Sequence, residues 1–359
     1  MSNLENLETV EQVETAGGLD QRMFDETGRE ILVKAENVKQ WFPIKKWFFE
    51  KQRYVKAVDD VSVYMYRGET LGVCGESGCG KSTLMRTILQ LLKPTAGSVK
   101  YEGVELTKLN KKQLKKIREH MQIVFQDPYS ALDGRMRVGA ILEEPMIINK
   151  PEMDKKARMA RVRELMTQVG LDASYVNRYP HEFSGGQRQR IVIARALATY
   201  PEVLFCDEAV SALDVSVRAQ ILNLLEDLQD ELKLTYMFVS HDLSVIEHIC
   251  DRIVIMYLGK VVEVGTKDDI FKNPTHPYTK ALLSAIPLVG KKTRERIILE
   301  GDIPSPVNPP SGCRFHTRCP HATERCSVEM PEMVDLGGEH KVACLLCAPA
   351  AAETVEEAV

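Results

Sequence analysis

The chain has 359 residues, 44% of them hydrophobic and 27% charged, and a formal net charge of −4. That length accommodates a large α/β domain with an appendage. The acidic balance argues against a nucleic-acid footprint, and no run approaches the ~18 uninterrupted apolar residues of a membrane-spanning helix. The acidic start, MSNLENLETVEQVET, lacks the basic-then-apolar pattern of a secretory signal, so the expected place is the cytosol or the cytosolic face of a membrane reached through a partner. Nine cysteines in such a chain read as reduced thiols or metal ligands rather than disulfides.

Residues 1–28 are acidic and weakly patterned, and read as a mobile leader. Ile31-Leu32-Val33-Lys34-Ala35 opens a strand-like region, and Trp41-Phe42-Pro43 to Tyr54 reads as a loop rich in aromatic and basic residues. Val61, Val63 and Met65 alternate with Ser62, Tyr64 and Tyr66, as on a half-buried strand. Arg67-Gly68-Glu69 turns the chain into the apolar strand Thr70 to Cys74. Ser98 to Glu105 reads as one strand, Lys111 to His120 as a basic helix, and Met121 to Phe125 as a buried strand ending at Gln126. From Pro128 to Glu182 strand patterns disappear, and Asp154 to Val169 suggests a helical insertion. Helices over Gln187 to Ala198 and Arg218 to Leu232 then alternate with apolar strands at Val203 to Cys206 and Tyr236 to Val239. Ile253 to Val264 reads as a hairpin turning near Gly259. Apolar strands alternating with helices indicate a parallel sheet covered on both faces.

The stretch GESGCGKST, from Gly75 through Glu76, Ser77, Gly78, Cys79, Gly80, Lys81 and Ser82 to Thr83, sits between the apolar strand and the helical run Leu84 to Leu92. Strand, glycine-rich loop and helix are the context of a phosphate-binding loop. The glycines bring backbone N–H groups close to phosphate oxygens, and the helix N-terminus adds partial positive charge. Lys81 is placed to reach the β- and γ-phosphates and Ser82 to bind Mg²⁺. Downstream, an apolar strand ends in Asp207-Glu208. Asp207 is expected to hold Mg²⁺ through water, and Glu208 to act as general base on the attacking water. Ser184-Gly185-Gly186-Gln187 forms a second anion site, a capped helix tip with exposed N–H groups. One chain rarely needs two such sites for one γ-phosphate, whereas two chains facing head to tail do.

Six stretches stand in one order: GESGCGKST, Gln126 in VFQDPYSALD, SGGQ at Ser184, LFCDE ending at Glu208, SALD at Ser211 to Asp214, and His241 in VSHDLSV. With them the chain resembles the nucleotide-binding subunits of ABC transporters. The resemblance implies a P-loop ABC ATPase core, an α/β fold with a mixed sheet, flanking helices and a helical subdomain. Residues 29–270 would form that domain, with the helical subdomain at about 127–186. The resemblance gives Gln126 a contact to Mg²⁺ or the water, Asp214 a place at the interface between two ATP sites, and His241 a contact to the γ-phosphate. It also asks for an aromatic residue on the adenine, for which Phe42 is the first candidate and Tyr54 the second. Phe183 stands where Leu is commoner before the signature serine, and Ala209-Val210 where Pro-Thr is commoner; neither removes a catalytic group.

Residues 271–347 narrow the branch, leaving 348–359 as a tail. NPTHPYTKALL from Asn273 and GDIPSPVNPPSGCRFHTRCP from Gly301 resemble the C-terminal extension of oligopeptide and dipeptide permease ATPases, and CDEAVSALDVSVRAQ resembles their F-type subunit. That implies pairing with a distinct D-type ATPase under two membrane subunits fed by a peptide-binding protein. The same permease group also moves nickel, glutathione and oligosaccharides, so the cargo stays open. A soluble ABC ATPase of DNA repair or translation is the other reading; the short insertion, single core and acidic charge disfavour it. Clustered thiols suggest metal ligation. The resemblance points to a [4Fe–4S] cluster on Cys313, Cys319, Cys326 and Cys344, with structural Zn²⁺ or plain reduced thiols as alternatives. Cys74, Cys79, Cys206 and Cys250 read as small packing residues.

Overall fold

A computed structural model describes residues 22–45, 52–286 and 297–347. The first 21 residues of the expected leader, residues 46–51 of the aromatic-basic stretch and the tail 348–359 lie outside the described residues.

The strands in chain order are β1 (Met23–Phe24), β2 (Glu30–Pro43), β3 (Tyr54–Tyr66), β4 (Thr70–Cys74), β5 (Ala96–Tyr101), β6 (Val104–Glu105), β7 (Met121–Val124), β8 (Val203–Asp207), β9 (Thr235–Ser240), β10 (Arg252–Tyr257), β11 (Lys260–Thr266), β12 (Val334–Asp335) and β13 (Lys341–Val342). They build two sheets. One holds β7, β8, β9, β4 and β10 in parallel, continued by β11, β13 and β12 in antiparallel fashion. The other is antiparallel: β1, β2, β5 and β6 in line, with β3 on the free side of β2.

Every residue of β4, β8 and β9 is buried, as parallel strands covered on both faces require. Two apolar cores flank this sheet. One joins β4, β9 and the helix Lys81–Ile88 to the antiparallel sheet; the other carries the helices Val138–Asn149, Lys155–Gln168, Gly185–Ala196 and Val215–Leu232. The stretch between Pro128 and Glu182 is helical throughout its regular elements, as its strand-free pattern suggested.

Four local expectations need correction. Trp41, Phe42, Pro43 and Tyr54 are not loop residues; Phe42 pairs with Val55 and Pro43 with Tyr54, extending β2 and β3 to their ends. Ser98 to Glu105 is a hairpin rather than one strand, because Glu102 (φ 46°) and Gly103 (φ 79°) form a two-residue turn of left-handed conformation. Met23-Phe24 of the leader pairs with Glu30-Ile31 as β1. The phosphate-loop helix ends at Ile88, short of Leu92, and Gln90 takes a positive φ just beyond it.

The C-terminal extension is pinned to the core by buried polar groups. Glu263, fully buried on β11, accepts the N–H groups of Thr275 (2.7 Å) and His276 (3.0 Å) and pairs with His340 Nε2 (2.8 Å). Burial pushes the His276 imidazole down to about 4, so it stays neutral and its Nδ1 accepts the Tyr278 N–H at 3.1 Å. Arg314 donates to Leu258 O at 2.7 Å and pairs with Asp59 of β3. β13 adds to β11 at Glu263↔Val342, so the extension completes the sheet.

Candidate functional site

The phosphate loop leaves the carboxyl end of β4 and enters the helix Lys81–Ile88. Gly80 has φ 107°, and a Cβ there would stand 2.1 Å from Ala57 O, so no side chain fits at that position. Lys81 Nζ donates to Gly75 O (2.7 Å) and Glu76 O (3.0 Å), lying across its own loop. Ser82 Oγ donates to Asp207 Oδ1 at 2.6 Å, and Arg86 Nη2 to Asp207 Oδ2 at 3.1 Å. Loop helix and β8 thus bring a hydroxyl and a buried carboxylate together, an oxygen pair suited to Mg²⁺.

Next to Asp207 stands Glu208, with φ 49° and its N–H on Val239 O (2.9 Å). A left-handed backbone at a non-glycine residue is a constraint held by its surroundings. It turns the Glu208 carboxylate to the site, where Gln126 Nε2 donates to Oε2 at 2.9 Å and His241 Nδ1 lies 3.1 Å from Oε1. Gln126 Nε2 also lies 3.4 Å from Ser211 Oγ. Gln126, Glu208 and His241 come from the ends of β7, β8 and β9, three neighbouring parallel strands. Ligands of open α/β sheets bind at such carboxyl ends. A carboxylate aimed by two flanking groups can take a proton from water; a lysine, a helix N-terminus and a hydroxyl–carboxylate pair can hold a triphosphate and its cation.

Ser184 caps the helix Gly185–Ala196 in a reciprocal box with Gln187: Gln187 N–H donates to Ser184 Oγ (3.3 Å) and Ser184 N–H to Gln187 Oε1 (3.0 Å). Ser184 is exposed, and a Cβ on Gly186 would stand 2.4 Å from Val217 Cγ1. Among the described residues these side chains bond only within their own cap, so the structure does not join SGGQ to this chain's phosphate loop. Asp214 likewise caps its own helix, accepting Val217 N–H at 3.0 Å and Ser216 Oγ at 2.9 Å; the first of these holds its carboxyl below its usual range.

Of the adenine candidates, Phe42 is half-buried and Tyr54 is 39% exposed. The sequence did not single out Trp41, whose ring lies 6.2 Å from Tyr54 and whose Nε1 donates to Asp59 at 3.0 Å. It also missed Arg86, although Ser82 and Arg86 are four apart and share a helix face.

Burial pushes the Cys74 and Cys206 thiols up to about 12 and the Cys250 thiol well above its ordinary value, so all three stay protonated packing groups. In the extension, Cys326 and Cys344 are buried and Cys313 and Cys319 partly so. Burial first, and the nearby thiols of Cys326, Cys344 and Cys319 after it, raise Cys313 to about 11. The four therefore share one neighbourhood, yet among the described residues no three His, Cys, Asp or Glu side chains are placed to hold a metal ion.

The ABC transporter family model matches residues 58–211, and one described as oligopeptide/dipeptide transporter, C-terminal region, matches residues 262–326. The oligopeptide transport ATP-binding protein AppF of Bacillus subtilis (strain 168) is 50% identical over 324 residues, 89% of this chain and 98% of the relative. The chain belongs to the ATP-binding proteins of the oligopeptide/dipeptide ABC transporter family. In that family, the dipeptide transport ATP-binding protein DppF of Escherichia coli (strain K12) is 52% identical over 89% of this chain and 95% of its own length. Among solved structures, the dimeric post-hydrolysis state of the ATP-binding cassette MJ0796 bound to ADP and Pi aligns with TM-score 0.57 and 32% identity, covering 66% of this chain and 98% of the other. The fold is thus that of an ABC ATPase, and the activity is ATP hydrolysis coupled to transport. No helix among the described residues is long and apolar enough to cross a membrane.

Proposed function

We propose that this chain powers the import of dipeptides or oligopeptides, working from the cytoplasmic face of a membrane beneath two permease subunits. The observation that carries this is a complete hydrolytic set, Lys81, Ser82, Asp207, Glu208, Gln126 and His241, in a chain whose relatives are named for peptide transport. Gly75 to Thr83 cradle the phosphates; Ser82 and Asp207 would hold Mg²⁺, with Gln126 touching the ion or the attacking water, and the bound ion would supply charge neutralisation for phosphoryl transfer. Glu208 takes the proton of the attacking water, and His241 steadies Glu208 and meets the γ-phosphate. Phe42 or Tyr54 stacks on adenine. Ser184 to Gln187 serve the nucleotide held by a second ATPase of D type, with Asp214 at that interface. A peptide-binding protein outside the membrane delivers cargo. Deleting the chain's gene should abolish uptake of labelled peptides; loss of nickel, glutathione or oligosaccharide uptake instead would reassign the cargo.

For the extension, the proposal is a [4Fe–4S] cluster on Cys313, Cys319, Cys326 and Cys344. An all-thiol donor set suits iron–sulfur ligation. Structural Zn²⁺ is the alternative, although its usual close C-x₂₋₄-C pair occurs only at Cys344/Cys347. Anaerobically purified protein should contain iron and a visible sulfur-to-iron absorption band, both lost in Cys319→Ser. Stoichiometric zinc, or metal-free protein, would refute the cluster.

A further inference from the structure

Glu76, the second residue of the phosphate loop, is held from outside the ATPase core. Its N–H donates to the Tyr278 hydroxyl at 2.8 Å, while its own carbonyl accepts from Lys81. Its carboxylate meets Arg318 in a two-pronged pair: Nη1 to Oε2 at 2.7 Å and Nη2 to Oε1 at 3.2 Å. Arg318 and Glu76 lie 242 positions apart, and the Arg318 side chain is only 7% exposed. Tyr278 and Arg318 both belong to the C-terminal extension.

The extension is built to hold Arg318 still. Arg318 closes the short turn His316–Arg318, with its N–H on Phe315 O at 3.0 Å. Phe315 is buried, edge-on to Tyr257 at 5.2 Å and tilted against Tyr278 at 5.3 Å. Arg318 Nη1 also reaches the Tyr257 hydroxyl at 3.4 Å. A planar guanidinium fixed by packing is a suitable partner for a carboxylate, because little freedom is lost in forming both bonds.

We propose that Arg318 is a positioning residue for ATP binding: it neutralises Glu76 and, with Tyr278, fixes the entry to the phosphate loop. This rests on reading that loop as the ATP cradle. A triphosphate bound there brings several negative charges to a loop that already carries the Glu76 carboxylate. Paired with Arg318, that carboxylate is compensated; unpaired, it repels the ligand and lets the loop swing. The extension thereby sets the affinity of the nucleotide site while contributing no group to the phosphates.

The test is equilibrium binding of Mg²⁺ and the fluorescent nucleotide methylanthraniloyl-ATP to the purified full chain. Arg318→Ala should weaken binding about tenfold, as expected for coupled neighbours in one network. Adding Glu76→Gln to Arg318→Ala should restore most of the loss, because the offending charge is gone; a packing role for Arg318 could not give that rescue. Arg318→Lys, which keeps the charge in a smaller change, should fall between the native chain and Arg318→Ala. In the assembled ATPase, the Arg318→Ala effect should appear in KM for ATP with kcat nearly unchanged. If the native chain binds and Arg318→Ala binds equally well, or the double variant stays as weak as Arg318→Ala, this proposal is overturned alone. A native chain that binds no nucleotide overturns the reading of the loop as well.

Discussion

Changing Glu208 to glutamine is expected to stop ATP turnover while leaving ATP binding intact. On the proposed reading Glu208 takes the proton of the attacking water, and a positioned base of this kind contributes about 10²–10⁴-fold to rate. The substitution is nearly isosteric, and a glutamine oxygen can still accept from Gln126, whose amide lies 2.9 Å from Oε2. Lys81, Ser82 and Asp207, the proposed holders of phosphates and Mg²⁺, are untouched. The expected outcome is phosphate release reduced at least about a hundredfold with unchanged nucleotide affinity, read by phosphate assay and equilibrium binding on the same preparation. Normal turnover would move the general-base role to another group, of which His241 is the nearest.

The second large effect concerns assembly. This chain gathers its phosphate loop, Asp207, Glu208, Gln126 and His241 in one place, but its SGGQ helix tip bonds only within its own cap. Ser184 is exposed, and the N–H groups at this helix start carry partial positive charge. That tip is expected to serve the nucleotide of a second ATPase, whose own tip is expected to serve the nucleotide held here. Donors aimed at charge developing in a transition state contribute about 10²–10³-fold each, so a lone chain should be slower than the assembly by at least that factor.

Much of the parallel sheet was legible because its strands are buried on both faces. Thr70–Cys74, Val203–Cys206 and Tyr236–Val239 read as apolar runs, and the strands that contain them, Thr70–Cys74, Val203–Asp207 and Thr235–Ser240, are wholly buried. The site residues were named on other grounds: the phosphate loop and Asp207-Glu208 from their strand context, and Gln126 and His241 from the family resemblance, since a lone Gln or His at a strand end is more often structural; the fold brings Gln126 and His241 to the Glu208 carboxylate. The antiparallel sheet was harder. The pairing of β2 with β3 slips at several points, and Asn37 takes φ 49°, so the alternation that marks a half-buried strand breaks up. Trp41 to Pro43 and Tyr54 therefore looked like loop. The hairpin at Glu102-Gly103 was hidden inside what read as a continuous strand. The pairing of Arg318 with Glu76 had no local signal at all: it joins two positions through the folded core, and Glu76 looked like an ordinary polar residue of a glycine loop.

The extension illustrates the same limit from the other side. Its cysteines were conspicuous in sequence, but their grouping depends on how the chain folds back onto β11 through Glu263, His340 and Val342. The Cys313 N–H donates to the Cys326 carbonyl at 2.8 Å, across a loop that spacing alone does not close.

The most direct measurement of the two-polypeptide site is ATP hydrolysis per chain, recorded together with molecular mass in solution. Turnover should be negligible wherever the chain is monomeric, with activity appearing only once the second ATPase is bound; full turnover by a monomer would rule out a nucleotide site shared between two polypeptides.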